Sequence, residues 1–161
     1  MQFTFVAVAA LFGAAMAAPA PVPQSDEIKE SVQITKFHAR KSHLNGGLTG
    51  PVDSIDFAIT ASAEAGTMGF ACTASAEEGE ESLKFKPNLY RCNGGTENAH
   101  YSFELNAPVG DDNKFSLTII HQTGIAFGYW GAVEVPTYCH AGGAETMVCQ
   151  QIADVTADLH F

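Results

Sequence analysis

The stretch IDFAITASAEAGTMGFAC, Ile55–Cys72, contains two short runs in which apolar residues alternate with small or polar ones. The apolar positions are Ile55, Phe57 and Ile59 in the first run, and Met68, Phe70 and Cys72 in the second. A period of two places such residues on one face of a β-strand. The cluster Glu64–Gly66 between the runs has the composition of a turn. The stretch therefore predicts two antiparallel strands joined as a hairpin.

The same period of two recurs along most of the chain. The further alternating sets are Tyr101, Phe103 and Leu105; Phe115, Leu117 and Ile119; Ile125, Phe127 and Tyr129; and Ala153, Val155, Ala157, Leu159 and Phe161. The turn clusters between them are Asn45–Gly47, Asn93–Gly95, Gly110–Asn113 and Ala141–Gly143. Many short strands without a sustained helical period predict one all-β domain, an antiparallel β-barrel or β-sandwich. We expect the apolar residues of the last set to fill its core.

The N-terminus has the pattern of a secretory signal. Its apolar run from Phe3 to Ala15 is too short to span a bilayer, and Ala15–Ala17 fits the small-x-small cleavage pattern. We therefore predict a signal peptide over residues 1–17, a short Pro-containing leader over 18–30 and a single β domain over 31–161. The mature protein is expected to be secreted and extracellular, beginning at Ala18 or within the leader.

The chain has four cysteines, Cys72, Cys92, Cys139 and Cys149. Cysteines of secreted proteins usually form disulfides, and four of them allow three connectivities, which spacing alone leaves open. A metal clip formed by Cys139, His140 and Cys149 is the alternative, but the usual zinc spacings and a second ligand pair are missing. No metal or cofactor is expected.

Charge and motif content limit the function further. The formal net charge of −10 argues against nucleic acid and anionic membranes as partners. The histidines are scattered, and no catalytic motif is present, so we expect no enzyme; an unrecognised hydrolase is the remaining catalytic alternative. The acidic runs Glu77–Glu81 and Asp111–Asn113 could supply oxygen ligands for Ca²⁺, but without an EF-hand pattern they are interpreted as solvated loops.

The segment Phe127–Gly131 contains the single Trp of the chain. Tyr129 and Trp130 must point to opposite faces of a strand, so one of them is expected in the core and the other at the surface. Both are candidate residues for binding a ligand or partner. We expect the surface-facing ring to pack against the N-terminal strand; the alternative is that it stays exposed and contacts a protein or a flavonoid.

Several segments resemble one known family. VPTYCHAGGAETMVCQQIADV, Val135–Val155, is similar to the C-terminal signature of the Alternaria major-allergen family of secreted fungal proteins. VQITKFHARK, Val32–Lys41, resembles the first strand of that family. The segments Ile55–Glu78 and LYRC, Leu89–Cys92, resemble its next hairpin and the cysteines that bracket it.

The resemblance implies a single β-barrel-like domain in which Cys72 pairs with Cys92 and Cys139 with Cys149. Members act as allergens or as elicitors of plant defence, and the family has no established catalytic residues. Its proposed partners are plant thaumatin-like defence proteins and small flavonoid-type ligands. The best-known members form a covalent dimer through a cysteine before the first strand, whereas Ser25–Ser31 contains none. We therefore expect a monomer or a non-covalent dimer.

The resulting functional hypothesis is a secreted fungal effector or elicitor, which acts by protein–protein contact with plant or host defence factors. The alternative is a carrier of a small aromatic, flavonoid-like ligand, which requires a preformed apolar pocket.

Overall fold

The computed structural model describes residues 27–42, 50–63, 66–106, 114–143 and 146–161. These residues form nine β-strands: β1 Glu30–Lys41, β2 Val52–Ala63, β3 Gly66–Ser75, β4 Tyr90–Arg91, β5 His100–Leu105, β6 Lys114–Gly124, β7 Phe127–Gly143, β8 Thr146–Gln151 and β9 Val155–Leu159. Within the described ranges no helix has the length and apolar character needed to cross a membrane. The predicted signal peptide, residues 18–26 of the leader, residues 64–65 of the first turn cluster and the turn clusters at residues 45–47 and 110–113 lie outside them.

Every strand pairing is antiparallel, and the order is β3-β2-β1-β8-β7-β6-β5-β4. One side of β1 pairs with β2. On its other side, the first half of β1 pairs with β9 and its last four residues pair with β8. The long strand β7 pairs with β6 through its first part and with β8 through its end. These shared strands curve the sheet into a nearly closed barrel.

The two edges of the sheet, β3 and β4, meet near the first disulfide. Cys72 of β3 is bonded to Cys92, and the backbone N–H of Asn93 donates a hydrogen bond of 2.7 Å to the Ala71 carbonyl. The second disulfide joins Cys139 and Cys149, which lie directly opposite each other on β7 and β8. The predicted all-β architecture with two disulfides is confirmed.

The core lies inside the barrel and contains the apolar face of each long strand. Its centre holds four aromatic rings, with Phe37 packed on Phe115 and Phe57 on Phe103, both at a centroid distance of 4.9 Å. Leu, Ile and Val side chains of the neighbouring strands surround these rings and are almost completely buried. Each such side chain stabilises the fold by about 1.5–3 kcal/mol through burial.

The C-terminal apolar set fills the core only in part. Ala157 and Leu159 are buried as predicted, and Val155 is half-buried. The expectation for Ala153 and Phe161 is wrong, since both are exposed. Strand β9 covers only Val155–Leu159, so Ala153 lies in the bend before it, and Phe161 follows the point where the chain leaves the sheet.

The predicted strand position of Ile125 is also wrong. Ile125 and Ala126 form the turn between β6 and β7, and the side chain of Ile125 therefore projects from the hairpin tip with 87% of its surface exposed. Phe127, the first residue of β7, is 73% exposed. This tip presents two large apolar side chains to solvent.

Candidate binding site at one end of the barrel

One end of the barrel collects aromatic side chains from four strands and from the C-terminal residue Phe161. The strand ends that meet there are the starts of β1, β3, β5 and β7 and the ends of β6 and β9. We call this the aromatic end, and define it by Phe70, Tyr101, His121, Tyr129 and Phe161. Since all but Phe161 lie on inward-facing strand positions beyond the sealed core, they close this end of the barrel.

The rings of the aromatic end form a continuous series of contacts. Phe70 packs on Tyr101 at a centroid distance of 4.7 Å, and Tyr101 stacks on His121 at 4.1 Å with only 15° between the ring planes. Tyr129 lies edge-on to both His121, at 6.3 Å, and Phe161, at 5.1 Å. Such pairs add about 0.5–1.5 kcal/mol beyond the area that they bury.

A carboxylate lies beneath this series. Glu30, the first residue of β1, has its Oε2 2.5 Å from Nδ1 of His121, and its other oxygen accepts a hydrogen bond from the Tyr101 hydroxyl. Burial alone would raise the pKa of the Glu30 carboxyl, but the hydrogen bonds from His121 and Tyr101, with the His121 charge, hold that pKa below its ordinary value. The three side chains thus join β1, β5 and β6.

The same contacts shift the pKa of the Tyr101 hydroxyl in the opposite direction. Burial, together with the hydrogen bond to the Glu30 carboxylate, raises the pKa of Tyr101 above its ordinary value. Tyr101 is therefore a neutral hydrogen-bond donor at every physiological pH.

A cavity of about 300 Å³ opens at the aromatic end between β3 and β5. Its walls include Met68, Phe70, Thr96, Ala99, Tyr101 and His121. Its volume is at the lower end of the range of small-molecule sites, and its lining is mainly apolar, as in such sites. The cavity can therefore hold one small aromatic group or one large apolar side chain.

Exposed apolar residues surround the aromatic end. They are Ile28, Met68, Ile125, Phe127, Trp130 and Phe161, which we call the apolar rim. Topology places all of them near this end, because they lie at strand starts, at strand ends or at the tip of the β6–β7 hairpin. Clustered exposure of this kind marks interaction sites, whereas single exposed apolar residues are ordinary.

The structure separates the two aromatic residues that the sequence singled out. Tyr129 faces inward and belongs to the aromatic end, while Trp130 faces outward and is 51% exposed. The N-terminal strand, against which this ring was expected to pack, is not a hydrogen-bonded neighbour of β7 in the described sheet. The backbone N–H and carbonyl of Trp130 instead bond His160, both at 2.9 Å, at the end of the C-terminal strand.

The residues of the alternative zinc site are not arranged as metal ligands. Cys139 and Cys149 are bonded to each other, and His140 lies exposed beside Tyr138, at a ring distance of 6.2 Å. Nowhere in the described part of the chain do three His, Cys, Asp or Glu side chains group to hold a metal ion. The second half of the proposed calcium set, Asp111–Asn113, lies outside that part.

Sequence reasoning missed the Glu30–His121–Tyr101 cluster. Glu30 stood at the end of the predicted leader, although β1 begins with it, and 91 positions separate it from His121. The one available signal was the alternation of Phe115, Leu117 and Ile119, which continues to His121 and places this polar residue on the inward face.

The fold and this end together define a small disulfide-linked β-barrel protein with several large apolar side chains exposed at one end. The chain belongs to the family described as Alternaria alternata allergen 1, whose model matches residues 34–149. The resemblance inferred from the cysteine-containing segments is therefore confirmed.

Individual relatives agree with this assignment. The chain is 32% identical over 157 residues to the effector protein PevD1 of Verticillium dahliae, covering 94% of this chain and 88% of that protein. Its structure is similar to a crystal structure of the Alternaria alternata allergen Alt a 1, with a TM-score of 0.62 and 25% identity over 87% of this chain and 95% of that one. A second Alt a 1 structure gives a TM-score of 0.60 at 25% identity, covering 81% and 93%.

Proposed function

We propose that the protein is a secreted effector that binds a plant or host defence protein, with plant thaumatin-like proteins as the first partner class to test. Membership of the allergen family and similarity to a protein named as an effector support this function. The net charge of −10 favours a protein partner over nucleic acid or an anionic membrane.

The apolar rim is the observation that carries the proposal. It combines aliphatic side chains with Phe127, Trp130 and Phe161, and aromatic residues of this kind are enriched in the buried centres of protein interfaces. Exposing them together to water is unfavourable, so a partner that covers them gains the free energy of their burial.

We infer that the site binds rather than catalyses. Both oxygens of Glu30 are already engaged, one by Tyr101 and one by His121. The carboxylate is thereby held by hydrogen bonds that link β1 to β5 and β6, which supports a structural role for the cluster.

The test is direct binding of the mature protein to a purified thaumatin-like protein by surface plasmon resonance. The double substitution Ile125→Ser/Phe127→Ser removes the hairpin tip of the rim and should weaken binding at least tenfold. The matched control, Leu89→Ser/Ile152→Ser, removes two exposed apolar side chains that lie outside the rim and should change affinity less than twofold. Equal affinities of the two variants would contradict the use of the rim.

A second candidate function is supported by the cavity, which could hold a small aromatic ligand against Phe70, Tyr101 and His121. Isothermal titration calorimetry with a flavonol should then show saturable binding that Met68→Asp abolishes and Leu89→Asp preserves. Calorimetry is a better measurement here than Trp fluorescence, because the single Trp of the chain, Trp130, lies on the outer face of the barrel. Heat signals identical in all three proteins would exclude the cavity as the ligand site.

A further inference from the structure

The outward side of the sheet at β1, β8 and β7 carries a set of hydrogen-bonding side chains. Two adjacent rows of residues cross these three strands: His38, Gln150 and Tyr138 in the first row, and Arg40, Val148 and His140 in the second. All six are exposed or half-buried, whereas Ala39 and Cys149 between them face the core. We call these six residues the β1–β8–β7 face. Because neighbouring strands lie about 4.8 Å apart, each row spans about 10 Å.

An open groove of about 360 Å³ continues this face at the point where β1 changes its partner from β9 to β8. His38 and Gln150 line the groove as well as belonging to the face, and Lys36, Ile152 and Asp154 contribute further walls. The lining is mainly polar, in contrast to that of the cavity at the aromatic end. The groove and the face thus form one continuous polar surface.

A β-bulge places Lys36 in the wall of the groove. The pairing register of β1 with β2 shifts across Lys36 and Phe37, and Lys36 has a φ of 54°, which residues other than glycine rarely adopt. The Gln151 side chain holds the bulge, because it accepts a hydrogen bond of 2.9 Å from the Phe37 N–H and donates one of 2.8 Å to the Ile34 carbonyl. Bulges that re-aim a side chain, and strained residues held by their surroundings, are typical of functional sites.

The surface carries unpaired positive charge, although the chain has only 8 Lys and Arg against 18 Asp and Glu. Lys36 and Arg40 are exposed, and neither makes a salt bridge or a side-chain hydrogen bond with another described residue. The carboxylate of Asp56, at the edge of the face, is engaged by His38 at 3.4 Å. Asp154 is the carboxylate among the described residues that line the groove. An anionic ligand therefore complements the two free cations.

The composition of the surface favours a polar ligand over a protein partner. The buried centres of protein interfaces are depleted of charged residues, whereas the β1–β8–β7 face has one aliphatic member, Val148. Tyr138 is 65% exposed, and its ring lies 6.2 Å from the nearly parallel ring of His140. The negative face of an aromatic ring attracts the C–H groups on the flat side of a sugar. The Gln150 amide both donates and accepts hydrogen bonds, as sugar hydroxyls do.

We propose that the groove and the β1–β8–β7 face bind an oligosaccharide that carries carboxylate groups. Tyr138 stacks on one sugar ring, while Lys36 and the forked guanidinium of Arg40 bind the carboxylates. This site shares no residue with the apolar rim or with the cavity at the aromatic end, and it goes beyond the proposed function.

The probe is a fluorescently end-labelled hexamer of α-1,4-linked galacturonic acid, titrated against the mature protein by fluorescence anisotropy. We expect saturable binding of this hexamer. The fully methyl-esterified hexamer, which has the same sugar backbone without the charge, should bind at least tenfold more weakly. Equal binding of the acid and the ester would overturn the proposal.

Variants of the protein locate the site. Lys36→Asn removes the charge and keeps a residue that tolerates a positive φ, and it should weaken binding at least tenfold. The matched control Lys84→Asn makes the same change of charge at an exposed lysine outside the surface and should have less than a twofold effect. Tyr138→Ser should likewise weaken binding at least tenfold, and Leu89→Ser less than twofold. Circular dichroism melts establish that all four variants are folded.

Two further outcomes would contradict the site. Equal losses in Lys36→Asn and Lys84→Asn would mean that net charge alone attracts the hexamer. A hexaglutamate peptide with the same label tests an acidic protein segment as the ligand, and binding as tight as that of the hexamer would overturn the assignment to a saccharide. Rim-dependent binding of the thaumatin-like protein does not depend on either result, so this inference and the proposed function fail separately.

Discussion

At the scale of single residues, Glu30 determines how the aromatic end is held together. Its carboxylate accepts hydrogen bonds from side chains of β5 and β6 while its backbone lies in β1. Folding lowers its pKa from the ordinary value of 4.5. The stabilisation from this carboxylate is therefore fully present above about pH 4.5 and is lost as the pH falls through the lowered pKa of the folded state.

The substitution Glu30→Gln should remove this charge-assisted contact and lower the free energy of unfolding at pH 7 by about 1.5–3 kcal/mol, the usual value for hydrogen bonds to charged groups. The difference from the wild-type protein should shrink as the pH is lowered below 4.5, because the wild-type carboxyl then binds a proton in the unfolded state and, at lower pH, in the folded state too. Urea denaturation at a series of pH values measures this difference.

Glu134→Gln is the matched control for that measurement. Glu134 is exposed and lies 3.8 Å from Lys114 in a surface ion pair, which contributes at most about 1 kcal/mol. A difference for Glu30→Gln that does not depend on pH would show that its carboxylate is not charged in the folded protein.

At the scale of elements, the contact between β7 and β9 depends on a glycine. Gly131 is buried, and a Cβ atom built on it would lie 2.1 Å from the backbone carbonyl oxygen of Asp158. Because that oxygen belongs to the backbone of β9, it cannot move without displacing the strand. Because Gly131 has no side chain, β9 can lie close against β7 at this position.

Gly131→Ala should therefore lower the free energy of unfolding by about 1–3 kcal/mol, the usual cost of overpacking. Gly69→Ala, in the exposed part of β3 with open space around it, should leave stability within about 1 kcal/mol of the wild-type value, since alanine is no worse than glycine in a strand. Thermal or urea unfolding compares the two. Equal losses would mean that β9 does not approach β7 as closely as the structure has it.

The disulfide between β7 and β8 is a second element-scale feature. Cys139 and Cys149 are ten positions apart and directly opposite in the hairpin. Replacing both with Ser should lower the free energy of unfolding by about 2–4 kcal/mol, chiefly by freeing the unfolded chain. His140→Ala, at the exposed neighbouring position, should change it by less than about 0.5 kcal/mol. Unfolding by a chelator but not by a reductant would contradict the disulfide.

At the scale of the whole molecule, all four cysteines are used in internal bonds. No thiol is left for a covalent link between copies. The mature protein should therefore migrate as a monomer on both reducing and non-reducing gels, and any association through the apolar rim should be reversible and concentration-dependent. A dimer band that disappears with reductant would mean that at least one internal pair is not formed.

The alternation of residues such as Phe57, Phe103 and Leu117 was enough to predict the all-β class and most of the core, because a strand's inward face is a local property of the chain. The cysteine-containing segments were enough to identify the family. Local pattern failed at Ile125 and Phe161, where apolar residues continue the alternation beyond the ends of the sheet.

The sequence by itself thus determined the strand periodicity, the acidic charge and the supply of cysteines, each of which is set by residue types over a few neighbouring positions. Only the tertiary structure decided which strand ends meet. Glu30, Tyr101 and His121 form one cluster because β1, distant in sequence from β5 and β6, begins at the end of the barrel where β5 begins and β6 ends. The edge strands β3 and β4 likewise meet at the Cys72–Cys92 disulfide because of their places in the strand order, and that order is a property of the closed sheet rather than of any single strand.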